Sequence, residues 1–310
     1  MGKNLTFERI KKLGERIVDR AKKVSFPFFD GVPLYDVALF FWRSIVDGSI
    51  TTRASAIAFS FFIAFFPFVI FLFTLIPLIP IDNFQDELFA LIQQVVPPTT
   101  FSTIESTVFD VLKNPHGGLL SFGFFMALIF STNGLASMMS AFDATIHSIH
   151  RRSWLSQRLA AVILLFILSV LLTVAIALLT GGQIFINYLE EHNILRDNFL
   201  LTLLTVGKWI ITLALFFFAY SFLYYMAPAK KTKWRFISAG GTLSTLLSIV
   251  TIAGFTYYIN NFSQYNKLYG SIGTLLIILF LMYIMSLILL VGFELNASIY
   301  QARTFYQEEE

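Results

Sequence analysis

Arg53, Asp143 and Glu294 are the charged residues best placed to do chemistry, because each stands at one end of a long uncharged run. At 1.5 Å per helical residue, the lengths of these runs place all three at the same depth. Arg151 and Arg152 follow Asp143 by about two turns. A carboxylate beside a guanidinium satisfies both groups where water is scarce. The pattern predicts either a structural clasp between three helices, the simpler interpretation, or a binding site or gate for a charged group.

Two amides, one proline and three glycines are the other positions singled out. Asn133 lies inside an uncharged run, so its amide needs a partner on another helix; a helix contact is the simpler expectation and a water-filled cavity the alternative. Asn296 follows Glu294 by two residues in "VGFELNAS" and joins the candidate site. Proline removes a helical hydrogen bond, and small residues let helices approach closely. A kink or close packing is therefore expected at Pro67, Gly134, Gly241 and Gly270.

Familiar catalytic arrangements are missing from the sequence. With no cysteine there is no thiolate nucleophile, thiolate metal site or disulfide. The four histidines do not form the H-E-x-x-H pattern of zinc proteases, and there is neither a P-loop nor a G-x-S-x-G elbow. The sequence therefore predicts no catalytic residue, no metal and no cofactor, and the chain is not expected to be an enzyme.

The elements that must position the charged residues are six long uncharged segments. The chain is 56% hydrophobic and 13% charged, against about 25% charged residues in soluble domains. A helix needs about 20 apolar residues to cross a bilayer. These features predict an all-α polytopic membrane protein with six transmembrane helices, at about 54–80, 118–142, 159–188, 199–226, 236–260 and 270–297.

Lys and Arg alternate between the connections. They are dense in residues 1–53 and recur in "PAKKTKWR" (228–235), whereas residues 82–113 carry one lysine among five acidic residues. Cytoplasmic loops of membrane proteins carry the excess of Lys and Arg. Both termini are therefore predicted to be cytoplasmic, with residues 82–113 as an outer helical loop and 301–310 as a cytoplasmic tail.

Residues 1–50 are predicted to form cytoplasmic basic amphipathic and interfacial helices ahead of a transmembrane domain at 51–300. A helix over 5–24 would bring four basic residues to an anionic inner leaflet; a plain basic tail is the alternative. The segment 31–49 predicts a second short helix at the inner interface, starting after Pro33 and stopping at Gly48. The four basic residues are Arg9, Lys12, Arg16 and Arg20.

Four separate stretches of the sequence are similar to those of a known family. They are "RASAIAFSFFIAFFPF", "STNGLASMMSAFDATIH", "YMAPAKKTKWRFISAGG" and "LYGSIGTLLIILFLMYIMSLILLVGFELNASI". With these stretches the chain resembles the YihY/BrkB family of bacterial inner-membrane proteins. The resemblance implies a six-span protein of the bacterial inner membrane with both ends cytoplasmic. It implies no settled activity, since members have carried ribonuclease BN and virulence labels. The matching motif positions are Arg53, Pro67, Asn133, Gly134, Asp143, Gly270, Glu294 and Asn296.

Three function classes follow from these observations. The leading one is a transporter or flippase-like protein for a lipid or other amphiphile of the cell envelope, with the charged set holding or gating an anionic head group. The alternative is a non-enzymatic envelope scaffold that recruits partners. A membrane-bound ribonuclease rests on the family label alone. The expected partners are membrane lipids, an envelope-lipid substrate and a further copy of the chain, and no nucleic acid is expected.

Overall fold

The structure, a computed structural model, describes residues 22, 24–26, 28–75, 105, 117–145, 153–191, 198–229, 236–261 and 265–309. These residues form seven helices of at least 14 residues. They are α1 (Leu34–Asp47), α2 (Ile50–Leu75), α3 (Gly117–Asp143), α4 (Trp154–Glu191), α5 (Asn198–Met226), α6 (Ala239–Asn261) and α7 (Tyr265–Glu309).

Helices α2 to α7 account for the predicted fold class. Within the described residues, six helices are long and apolar enough to cross a membrane. The all-α class with six such helices is therefore confirmed. α2 continues through Pro67, where the missing N–H leaves the carbonyl of Ile63 without its helical partner.

The helices that differ most in extent from the predicted spans are α4 and α7. α4 begins at Trp154 rather than 159, because the hydroxyl of Ser153 accepts the N–H of Ser156 at 3.4 Å and caps an earlier start. α7 runs from Tyr265 to Glu309, so residues 301–309, predicted as a tail, continue the last helix.

The described chain divides into two compact units. The first comprises Met1–Arg53, Met139–Val250 and Leu287–Glu310, and the second comprises Ala54–Met138 and Thr251–Ser286. In the first unit, α1 begins after Pro33 and ends before Gly48, as its sequence predicts. The segment leading into α1 packs with the ends of α6 and α7 in an apolar cluster of Val32, Val37, Ala239, Ile299 and Ala302. Arg303 also forms an ion pair with Asp30 at 3.3 Å. These contacts explain why α7 stays helical beyond its apolar run.

Several predictions lie outside the described residues. Arg151 and Arg152 are among them, as are the outer loop 82–113 apart from Glu105 and the basic residues Arg9, Lys12, Arg16 and Arg20. Gly270 lies within α7, but its surroundings are also outside the described part.

Candidate functional site

Arg53 and Glu294 form a buried ion pair in the first unit. Nη2 of Arg53 donates to Oε1 of Glu294 at 2.5 Å, and both side chains are enclosed. Nη1 of Arg53 donates to the carbonyl oxygen of Ala141 at 2.7 Å, and the hydroxyl of Thr145 donates to Oε2 of Glu294 at 2.7 Å. Both carboxylate oxygens and both terminal guanidinium nitrogens thus have protein partners. The pair joins α2, the end of α3 and α7, a geometry that favours the clasp interpretation.

Asp143 lies between Ala141 and Thr145 in sequence, but its Oδ1 accepts a hydrogen bond from another part of the chain. The backbone N–H of Ala229 donates to that oxygen at 2.8 Å. Asp143 ends α3, and Ala229 lies just after α5. The carboxylate therefore links the end of α3 to the start of the connection that follows α5.

The side chain of Asn296 forms hydrogen bonds with the start of α6. Its Oδ1 accepts the N–H of Gly240 at 2.8 Å, and its Nδ2 donates to the hydroxyl oxygen of Ser238 at 3.0 Å. Ser238 also accepts the N–H of Gly241 at 3.0 Å, in the manner of an N-cap. Asn296 thus completes a helix terminus with orphan N–H groups. Its side chain is placed to hold α6 against α7.

Gly240 and Gly292 bring α6 and α7 into close approach. A Cβ at Gly240 would overlap the carbonyl oxygen of Gly292, and a Cβ at Gly292 would overlap the hydroxyl of Ser244. At Gly241, by contrast, the nearest atom to a built Cβ is Ser238 Oγ at the start of the same helix. The close packing predicted for Gly241 therefore falls on its neighbour Gly240.

Asn133 and Gly134 belong to the second unit, whereas the residues of the ion pair belong to the first. Asn133 is partly buried there. Gly134 is buried against the ring of Phe61, which would lie 3.1 Å from an added Cβ. Gly134 thus permits a close contact between α2 and α3.

A tyrosine–serine ladder between α5 and α6 is the main feature that was not predicted. The hydroxyl of Tyr224 lies 2.6 Å from Ser244 Oγ and donates to the carbonyl of Leu289 at 2.9 Å. One turn away, the hydroxyls of Tyr220 and Ser248 are 2.5 Å apart. Both helices thus place their polar residues four apart, on one face. That repeated spacing is the sequence signal that could have revealed the ladder.

Replacing Tyr224 by phenylalanine is expected to lower the free energy of unfolding by about 1–3 kcal/mol. The change removes the hydroxyl that links α5 to both α6 and α7, and leaves buried polar groups with fewer partners. Denaturant unfolding of the purified protein in mixed micelles measures the effect. Tyr257→Phe, at a side chain that is 67% exposed, is the matched control. Equal losses in the two variants would contradict a structural role for the ladder.

The second unit contains a groove of about 830 Å³. Its walls come from α2, α6 and α7 and are mostly apolar and aromatic, with few polar groups. The lining residues are Ser55, Ala58, Phe59, Phe255, Tyr258, Leu276, Ile277, Leu279, Phe280 and Tyr283. Sequence reasoning missed this groove, because its residues are ordinary apolar residues of three separate helices.

Neither unit supplies a metal centre from the residues described. Among them, no group of three or more His, Cys, Asp or Glu side chains is placed to hold a metal ion.

The sequence matches the family model "Virulence factor BrkB" over residues 41–310. The chain belongs to the BrkB family. It is thus a membrane protein, and the predicted resemblance is confirmed.

Relatives of this BrkB-family chain carry two kinds of name. The ribonuclease-like protein YfkH of Bacillus subtilis is 27% identical over 257 residues, which cover 83% of this chain and 92% of YfkH. UPF0761 membrane proteins of Idiomarina loihiensis and Xanthomonas oryzae pv. oryzae are 26% and 24% identical. These matches cover 52% and 97% of this chain, and 56% and 67% of the relatives. No solved structure matches the chain.

Proposed function

We propose that this chain is a transporter or flippase-like protein for a lipid or other amphiphile of the cell envelope. The observation that carries the proposal is the groove of about 830 Å³ in the second unit. Three helices that are apolar enough to cross a membrane form its walls. A groove on such helices is open to the hydrocarbon of a bilayer, so the molecule best placed to enter it is a membrane lipid.

The chemistry of the groove suits an acyl chain. Pockets of about 300–1,000 Å³ hold ligands through mostly hydrophobic and aromatic walls with a few polar groups. Here Phe59, Phe255 and Phe280 supply aromatic surface, while Tyr258 and Tyr283 each carry a hydroxyl. A lipid tail meets aromatic faces along the walls, and the few polar groups orient the more polar part of the molecule.

The ion pair has a supporting role in this proposal. Because Arg53 and Glu294 neutralise each other and are largely saturated by protein partners, an anionic head group would have to displace existing bonds. We therefore assign the pair to holding α2, α3 and α7 together. Head-group capture by Arg53 is the weaker version of the hypothesis.

The proposal includes a location and partners. We propose the bacterial inner membrane with both termini cytoplasmic, on the basis of the Lys and Arg distribution. The basic residues of the first 24 positions would lie on the anionic inner leaflet. A further copy of the chain is a proposed partner, and no catalytic step forms part of the proposal.

Filling the groove is expected to abolish lipid capture. Ser55→Trp adds an indole at an exposed residue of the groove wall, so it obstructs the groove without disturbing the packed interior. Ala56→Trp adds the same group at the next residue, also exposed but not part of the wall. The measurement is cross-linking of a phospholipid with a photoactivatable acyl chain to purified protein in liposomes, with cross-linked peptides mapped by mass spectrometry.

We expect cross-links to the groove residues of α6 and α7 in the wild type and in Ala56→Trp, and a severalfold loss in Ser55→Trp. Leu276→Trp fills the groove from α7 and provides an independent test. Equal cross-linking in all variants, spread over the lipid-facing surface, would contradict the proposal. It would leave the envelope scaffold as the leading function.

A further inference from the structure

Four buried polar atoms of the first unit have no hydrogen-bond partner in the described structure. They are Arg53 Nε, Thr245 Oγ1, Ser298 Oγ and Gln301 Oε1. A buried polar atom without a partner costs about 1–3 kcal/mol, and folded proteins pair nearly all such atoms with protein or ordered water. Groups of this kind therefore indicate where water or a ligand binds.

Three of the four atoms belong to one stretch of structure. Ser298 and Gln301 follow Glu294 by four and seven residues on α7, so the three side chains share a face of the helix. Arg53 is bonded directly to Glu294. Ser298 lies about 6 Å, and Gln301 about 10 Å, along the helix from Glu294 towards its C-terminal end. We call Arg53, Glu294, Ser298 and Gln301 the polar seam.

The same end of α7 also makes apolar contacts. Ile299 and Ala302 pack against Val32 and Val37 in the cluster described above. Ser298 and Ala302 are equally enclosed, each with 0% of its surface exposed. Their chemistry differs, since the first carries an orphan hydroxyl and the second a methyl group. Because Ala302 follows Ser298 by four residues on α7, the polar seam lies directly beside this apolar cluster.

The donor and acceptor character of the orphan atoms, together with the ion pair, indicates the charge of a fitting ligand. Arg53 Nε is a donor, Gln301 Oε1 is an acceptor, and the Ser298 hydroxyl can act as either. An anion would face the carboxylate of Glu294 and a cation would face the guanidinium of Arg53, so neither sign is favoured. Hydroxyl groups fit, because a hydroxyl can accept from the N–H of the arginine and can donate to an amide oxygen.

We propose that the polar seam is a site for uncharged hydroxyl groups that water reaches from the C-terminal end of α7. The hydroxyl belongs either to water or to a hydroxyl-bearing lipid head group, and the two sources share the same hydrogen bonds. The seam lies in the first unit, whereas the groove lies in the second. This inference therefore does not depend on the proposed function.

The chain contains no cysteine, so a single introduced thiol reports without background. The probe is Ag⁺ in chloride-free buffer, a small water-borne thiol reagent, applied to protein in phosphatidylcholine liposomes. Thiols left unmodified are then counted by a gel shift with polyethylene-glycol maleimide after denaturation. Ser298→Cys tests the seam, and Leu290→Cys is the control, because Leu290 is equally enclosed on α7 but lies on the other side of Glu294, away from the C-terminal end. Gln301→Cys is a second seam variant if Ser298→Cys does not fold.

We expect Ser298→Cys to react about tenfold or more faster than Leu290→Cys, because ions do not enter a dry protein interior. Equal rates in the two folded variants would overturn the hydrated seam. Adding a neutral galactosyl lipid separates the sources: slower labelling assigns the hydroxyl to the head group, and unchanged labelling assigns it to water. Protection of the seam thiol by sulfate, an anion that does not precipitate dilute Ag⁺, would overturn the uncharged class of ligand.

Discussion

Replacing Arg53 by methionine is expected to lower the free energy of unfolding by about 3–5 kcal/mol. The change leaves the Glu294 carboxylate enclosed, with the hydroxyl of Thr145 still donating to its Oε2. It also removes the donor to the Ala141 carbonyl at the end of α3. In a membrane preparation, we expect this loss of stability to reduce the amount of folded, extractable protein.

The double variant Arg53→Met/Glu294→Met separates the stability effect of the whole ion pair from the effect of leaving one of its charges without a partner. Replacing both charges with apolar groups removes the uncompensated carboxylate, and such exchanges of a buried pair are often neutral or stabilising. We therefore expect the double variant to recover most of the stability lost in Arg53→Met. Arg43→Met, at an exposed arginine of α1, is the control and should change little.

The measurement is the midpoint and free energy of denaturant unfolding for the wild type, each single variant and the double variant. A folded, fully stable Arg53→Met protein would contradict the clasp. If that stable protein had also lost lipid translocation, the head-group or gating interpretation of Arg53 and Glu294 would replace it.

Replacing Gly292 by alanine is expected to destabilise the protein by about 1–3 kcal/mol or more. A Cβ there would meet the hydroxyl of Ser244 and approach that of Tyr224 and the carbonyl of Gly240. α7 would have to move away from α5 and α6, breaking the hydrogen bond of Tyr224 to Leu289. Gly240→Ala is expected to act in the same direction, because its Cβ would meet the Gly292 carbonyl.

Gly254→Ala provides the control on the same helix as Gly240. No atom lies within 4 Å of a Cβ built at Gly254, and alanine is favoured over glycine in a helix by about 1 kcal/mol. This variant should be neutral or more stable than the wild type. Thermal unfolding of the three variants side by side measures the contrast, and equal losses at Gly240 and Gly254 would refute close packing as the cause.

The sequence predicts the helices well because each helix forms for reasons that lie within its own segment. A long uncharged run crossing a bilayer must satisfy its backbone internally, so it forms a helix whatever it packs against. The ends were less predictable: the apolar run of α4 opens at 159, but the cap at Ser153 starts the helix earlier. The end of α7 is set by packing against residues distant in sequence, Val32 and Val37.

Depth along a helix is also readable from sequence, whereas direction around the helix is not. Arg53, Asp143 and Glu294 were placed at one depth, and Arg53 and Glu294 do meet. Oδ1 of Asp143 instead accepts a hydrogen bond from the N–H of Ala229, because the rotation of α3 points it towards the connection that follows α5. Gly240 and Gly241 differ by one residue, or about 100° of rotation, which decides which of them contacts α7. Such angles follow from tertiary packing.

The measurement that tests the proposed function most directly is lipid translocation by the purified chain. Liposomes containing a head-group-labelled phospholipid are exposed to a membrane-impermeant quencher, with the wild type, Ser55→Trp and Ala56→Trp compared after folding and insertion are verified. Handling of lipid through the groove predicts quenching well beyond the outer-leaflet share in the wild type and Ala56→Trp, and quenching limited to that share in Ser55→Trp. Quenching limited to the outer leaflet with folded, inserted wild-type protein would contradict it.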